Sequence, residues 1–339
     1  MYQYPYAAGT IFPAPSTLEE SNIKKHYRNT FLLGILHAFL GFLIPYLFFY
    51  LIPEITSYSY RYDDLGYPIV DWQYLMIATL TPAAASLIVF LLDKCISKVR
   101  FSELFSTANV GGKDIGGMIL VLCGAFSLGM ILQVIVISLF GLAGLSPMSE
   151  AATNATEDVT PAYLAVDIFT SLIVAPVCEE LMFRGVILRR MSQVSMRFAI
   201  VFSSVCFGLM HGNILQGISG FIVGLVLAYA DIKCGSVIPS IIGHMFLNSW
   251  SCIRALVSYF TDEDTADMVW LAIIAVLGLV GLISILVLVR SRKIRLPEYN
   301  EYHKKRSFRL AAKCVSFWIL IVIYAFDVIS AFSEVSEKT

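Results

Sequence analysis

Two adjacent carboxylates, two imidazoles and one carboxamide stand out because each interrupts an apolar run. Glu179 and Glu180 fall in TSLIVAPVCEELMFRGVILRR with Arg184 four residues on, His211 closes CFGLMHG, and His244 and Asn248 lie in IIGHMFLNSW. An ionisable side chain in hydrocarbon costs about 2.5–3.5 kcal/mol even on the lenient insertion scale, so these residues are functional candidates or partners of one another. A carboxylate and an imidazole around a water can take its proton, while an imidazole N–H and an Asn amide can stabilise a developing oxyanion. That is hydrolase chemistry. Glu179, His211 and His244 would also supply the three protein ligands of a catalytic zinc. Against zinc, the sequence has no H-E-x-x-H, and Asn248 is an unusual ligand for that metal.

Spacing divides the labour. Neighbouring helix positions point about 100° apart, so Glu179 and Glu180 face different partners. Glu180 reaches Arg184 one turn away, an ion pair that neutralises both and fixes the rotation of the helix, which leaves Glu179 free for another neighbour. His244 and Asn248, four apart, share one face. Counted at 1.5 Å per residue from the helix ends, Glu179 lies at about 15 Å, His211 at about 20 Å, and His244 and Asn248 at about 12 Å and 18 Å, so all four can meet in one layer. His37 and Asp327 are also ionisable residues inside apolar runs, but no motif surrounds them, and interhelical hydrogen bonds are their expected role. Pro176 is expected to bend its helix and free a carbonyl. Gly217, Gly220 and Gly224 have the spacing of a close helix approach.

The elements that must position these groups follow from composition. Of 339 residues 58% are hydrophobic and only 14% charged. Soluble domains carry about 25% charged residues, so the chain reads as an all-α polytopic membrane protein. Apolar runs near 30–52, 73–93, 115–143, 163–183, 197–211, 214–231, 236–258, 268–290 and 313–332 predict about nine transmembrane helices. The first run is too long and too far from the start for a signal peptide. With the N-terminus cytoplasmic, every Lys and Arg except Arg61, Arg254 and Lys338 falls on the inner side, as the positive-inside rule requires. The reading is therefore a cytoplasmic segment 1–29, poorly ordered and rich in Pro and Tyr; one transmembrane domain 30–332 with a basic cytoplasmic loop 291–312; and a short tail 333–339. A net charge of −1 excludes a polycationic nucleic-acid binder. Seven scattered cysteines, with no C-x-x-C pair, are read as small apolar residues.

Glu179-Glu180-x-x-x-Arg184, Phe207-x-x-x-His211 and His244-x-x-x-Asn248, in this order on three apolar helices, resemble the CAAX protease and bacteriocin-processing (CPBP, or Abi) intramembrane proteases, relatives of the type II CAAX prenyl endopeptidase. The resemblance covers about 163–250. It implies an eight-helix-like core with a water-filled cavity in which a peptide bond is hydrolysed. It assigns water activation to Glu179 and His211, the oxyanion to His244 and Asn248, and support to Glu180 and Arg184. It favours a glutamate-activated water with no cofactor, zinc being the alternative. The expected partners are the lipid bilayer and a peptide or membrane-anchored protein substrate, with no nucleic acid, in a bacterial plasma membrane. Two rivals use the same residues: a non-catalytic binding or bacteriocin-immunity protein of this fold, and a proton-coupled transporter. The transporter reading is weakened by the lack of a visible internal repeat.

Overall fold

A backbone crossing hydrocarbon must satisfy its own N–H and C=O groups, and apolar runs of this length do so as helices. The computed structural model describes residues 20–55, 61–63, 69–142, 145–146, 156–290, 307–330 and 333–334. All nine expected runs are helical. They form α1 (Glu20–Ile55), α2 (Trp72–Ser97), the single turn α3 (Phe101–Leu104), α4 (Gly112–Leu142), the composite α5 (Pro161–Ser192), α6 (Met196–Leu209), α7 (Ile214–Cys234), α8 (Ile238–Phe260), α9 (Glu263–Arg290), the short α10 (Ser307–Ala312) and α11 (Val315–Ser330). Helix α1 begins ten residues before the expected start, so residues 20–29 are its first turns rather than part of a loose tail. Residues 1–19 of that segment, 291–306 of the basic loop and 335–339 of the tail lie outside the described residues.

The protein is a multi-pass membrane protein, and six of its described helices are long and apolar enough to cross a bilayer: Ser21–Leu51, Trp72–Ser97, Gly112–Leu142, Pro161–Ser192, Ile214–Cys234 and Glu263–Val287. The other three expected spans fall short for identifiable reasons. Helix α6 has 14 residues and α11 has 16. At 1.5 Å per residue these reach about 21 Å and 24 Å, less than the hydrocarbon thickness of about 30 Å. Helix α8 is 23 residues long but carries His244, Asn248 and Arg254 along its length.

Helix ends are written in the sequence. The Asp71 carboxylate accepts from the Gln73 and Tyr74 N–H groups at the start of α2, Ser195 caps α6 through Phe198 N–H, and Asn213 caps α7 through Gln216 N–H. Gly235, at φ +67°, ends α7 in the left-handed conformation that suits glycine.

Helix α5 is central, packing on α2, α6 and α8, while α7 bridges α6, α4 and α8, and α1 is held between α2 and α11. Close approaches use glycine. Gly208 of α6 faces the Gly217 carbonyl of α7, where a Cβ would come within 2.5 Å, and Gly124 of α4 meets Gly281 of α9 backbone to backbone. The aromatic core between α1, α5, α6 and α11 includes Phe31, Phe183, Phe202, Phe207 and Phe317. Outward faces remain apolar, with Ile131, Leu279 and Val322 exposed, as a lipid-facing surface requires.

Two-residue ladders pair β1 (Ile69–Val70) with β3 (Thr156–Glu157) and β2 (Leu145–Ser146) with β4 (Ser333–Glu334). Arg61 and Asp158 form an ion pair of 2.5 Å beside the first ladder. All seven cysteines are free and all but Cys95 are buried, in keeping with their reading as small apolar residues.

Candidate active site

Helix α5 does not run in one register. Residues Thr170–Val174 form a π-segment, α-helix resumes over Ala175–Glu180, and a second π-segment covers Leu181–Leu188. In the first segment the Ala175 N–H bonds to the Thr170 carbonyl, five residues back. The next acceptor in that register, the Ser171 carbonyl, faces residue 176, and Pro176 has no N–H to give. The carboxamide of Asn248 fills the gap, its Nδ2 donating to the Ser171 oxygen at 2.7 Å. The freed carbonyl expected from Pro176 is thus the point where α8 is fastened to α5.

One turn further, Glu180 and Arg184 are completely buried and paired, Nε to Oε2, at 2.9 Å. Arg184 Nη1 donates to Ser203 Oγ at 3.1 Å, and Ser203 Oγ donates to the Phe183 carbonyl. The guanidinium also lies 4.7 Å from the centre of the Phe207 ring. The second oxygen of Glu180 accepts from Nδ1 of His244 at 3.1 Å. Glu180 therefore contacts His244 and Arg184 at once, and the ion pair with Arg184 is the one its spacing predicts.

Glu179 points elsewhere. Its side chain keeps 17% of its surface, and its Oε2 makes no hydrogen bond while lying 4.0 Å from Nε2 of His244. The carboxylate lines a cavity of about 160 Å³. His211, at the turn between α6 and α7, gives its Nδ1–H to its own helix at the Phe207 carbonyl, 2.9 Å away, which leaves Nε2 open. The Phe207 ring stands edge-on to both imidazoles, with centroids 5.3 Å from His211 and 5.4 Å from His244, so one aromatic spaces the two histidines. Gly220 of α7 passes against the His211 ring, where a Cβ would touch it at 3.4 Å, giving the small-residue stripe of α7 a direct bearing on the site.

The structure thus joins Glu179, Glu180, Arg184 and His244 directly, adds His211 through Phe207, and attaches Asn248 through Ser171. Several participants carry no motif. Asp231, fully buried at the end of α7, accepts from the Ser240 N–H at 2.8 Å and the Ser240 hydroxyl at 2.6 Å, capping α8 one turn before His244. A lone acid in an apolar run was the available signal. Arg189 and Arg190, counted in the sequence as inner-surface charges, are instead buried and share the carboxylate of Asp93 on α2. His37 does make the expected interhelical hydrogen bond, to Ser86 Oγ at 2.9 Å.

Among the described residues no group of three or more His, Cys, Asp or Glu side chains is placed to hold a metal ion. One nitrogen of each imidazole is committed, Nδ1 of His244 to Glu180 and Nδ1 of His211 to a backbone carbonyl, which leaves Nε2 of each for a proton or a ligand.

Residues 161–250 match the family model described as "Rce1-like: Type II CAAX prenyl endopeptidase Rce1-like", which bears out the resemblance over the segment that carries all three motifs. No curated protein and no solved structure matches the chain.

Proposed function

We propose that this protein is an intramembrane endopeptidase that hydrolyses a peptide bond of a membrane-associated peptide or protein, of the CAAX type or a peptide precursor. The observation that carries the reading is the Glu179 carboxylate, without a hydrogen bond at Oε2, on the wall of a cavity and 4.0 Å from an imidazole that is in contact with a second glutamate. The family match over 161–250 supports peptidase chemistry.

In the proposed reaction a water is held by Glu179 and by Nε2 of His211. Glu179 takes one proton as the water oxygen attacks the scissile carbonyl carbon. The carbonyl becomes a tetrahedral oxyanion, to which His244 donates from Nε2 and Asn248 from the amide N–H that Ser171 does not occupy. His244 already gives Nδ1–H to Glu180, so donation from Nε2 requires the imidazolium, for which Glu179 and Glu180 supply the opposing charge. Collapse of the intermediate breaks the C–N bond, and Glu179 returns its proton to the leaving nitrogen. No cofactor takes part. The protein works as a multi-pass enzyme of the plasma membrane with its N-terminus in the cytoplasm.

The test is cleavage of lipid-anchored peptides by the full chain in proteoliposomes. Glu179→Gln should lower the rate by about 10²–10⁴-fold, the range of a lost general base. Asn248→Ala should lower it by about 10²–10³-fold, the range of a lost oxyanion donor. Chelators should leave wild-type cleavage unchanged. Stoichiometric zinc whose removal stops cleavage would replace the metal-free mechanism. A cellular phenotype that survives both Glu179→Gln and His211→Ala would assign the chain to binding rather than catalysis.

A further inference from the structure

The cavity bordered by Glu179 also brings together residues that the sequence leaves unrelated. Its wall includes His37 of α1, Ser86 of α2, and Tyr324 and Asp327 of α11. His37 is saturated: Nε2 meets Ser86 Oγ at 2.9 Å and Nδ1 lies 3.5 Å from the Tyr324 hydroxyl, so these three buried groups hold the wall in shape. Asp327 is different. Among the described residues no hydrogen bond or ion pair reaches its carboxylate, which rests against the bare backbone of Gly212, where a Cβ would come within 3.0 Å of Oδ2. Gly212 follows His211 and has a φ of +67°, so the carboxylate sits against the turn that carries a proposed catalytic imidazole. The lining holds two carboxylates, Glu179 and Asp327, with neither Lys nor Arg among them, and is otherwise largely apolar, with Pro82 and Ala83 in the wall.

We propose that this cavity is the substrate's side-chain subsite, and that it takes a basic residue near the scissile bond through Asp327. The inference rests on the endopeptidase reading and adds a substrate class to it. A lysine or arginine combines an apolar stem with a cationic tip, matching a largely apolar cavity with an uncompensated carboxylate in its wall. In a low-dielectric wall of one sign, a cation is favoured and an acidic side chain is repelled. Asp327 acts on specificity, and Glu179 on the bond.

The experiment compares lipid-anchored peptides in proteoliposomes, differing only by Lys, Gln or Glu at each position around the cleavage point. Wild type should prefer Lys over Glu by about tenfold or more in kcat/KM at one position, a ratio set by charge complementarity. Asp327→Asn should bring that ratio to within about twofold, and Asp327→Arg should invert it, which an unfolded variant cannot do. A wild type that cleaves with no basic preference at any position, or a preference untouched in Asp327→Asn, overturns the subsite while leaving the protease reading intact. Photocrosslinking of the same peptides to Glu179→Gln protein separates the two claims. Lys-peptide capture that depends on Asp327, in a protein whose wild type cleaves nothing, keeps the subsite and removes the protease. Capture that ignores Asp327 removes the subsite.

Discussion

At the residue scale, the arrangement turns on what each polar group inside the membrane is committed to. Glu180 and Arg184 are bound to each other, to His244 and to Ser203, and they behave as a buried network whose members depend on one another. Removing one partner leaves the other charged and dry, so Glu180→Gln should destabilise the fold by about 3–5 kcal/mol, measured as thermal or denaturant unfolding in detergent. Replacing both, as in Glu180→Leu with Arg184→Met, should recover much of that stability. Activity should stay lost, because His244 then has no partner at Nδ1. Recovery of both together would show that Glu180 does not orient His244. Glu179, the adjacent residue, has no such commitments at Oε2, and that contrast separates the proposed base from its scaffold. The contrast was legible in the sequence, since two neighbours on a helix cannot face the same way and only one has an Arg a turn below.

At the scale of elements, the link between α5 and α8 depends on a proline and a carboxamide 72 positions apart. If Asn248 supplies the N–H that Pro176 lacks, then Asn248→Ala should leave the Ser171 carbonyl unpaired, at a cost of about 1–3 kcal/mol. In a Pro176→Ala background, a backbone N–H is restored and the same change should cost about 1 kcal/mol less. Equal costs in the two backgrounds, measured by unfolding, would show that the proline and the Asn248 bond are independent. Pro176 announced a freed carbonyl in the sequence; the π-register that selects Ser171 did not, because a shift from four-residue to five-residue bonding leaves no mark in hydropathy. For the same reason the Asp231 cap on α8 stayed hidden. It depends on the fold of the α7–α8 turn, where one buried acid meets the first turn of the next helix. The burial of Arg189 and Arg190 was hidden by counting charges according to side, which cannot tell an arginine in water from one paired with Asp93 inside the bundle.

At the scale of the whole molecule, charge scarcity and apolar length gave the class and all nine helical segments, but length and hydropathy together separate six clear spans from three polar or short ones. Helices α6, α8 and α11 depart from a plain spanning helix, and His211 just after α6, His244 with Asn248 on α8, and Asp327 on α11 belong to them, whereas Glu179 sits on α5, one of the six clear spans. If all nine cross, the two chain ends lie on opposite sides of the membrane. Reporter tags at both ends should then place the N-terminus in the cytoplasm and the C-terminus outside, and two tags on one side would require an even number of crossings.

The most direct test of the central claim is a quantitative peptide inventory of membranes from cells expressing wild type or Glu179→Gln at equal folded levels. The account predicts at least one membrane-associated precursor that accumulates uncleaved with Glu179→Gln and is cut at a single bond by the reconstituted wild-type protein. Identical inventories from the two membranes would contradict it.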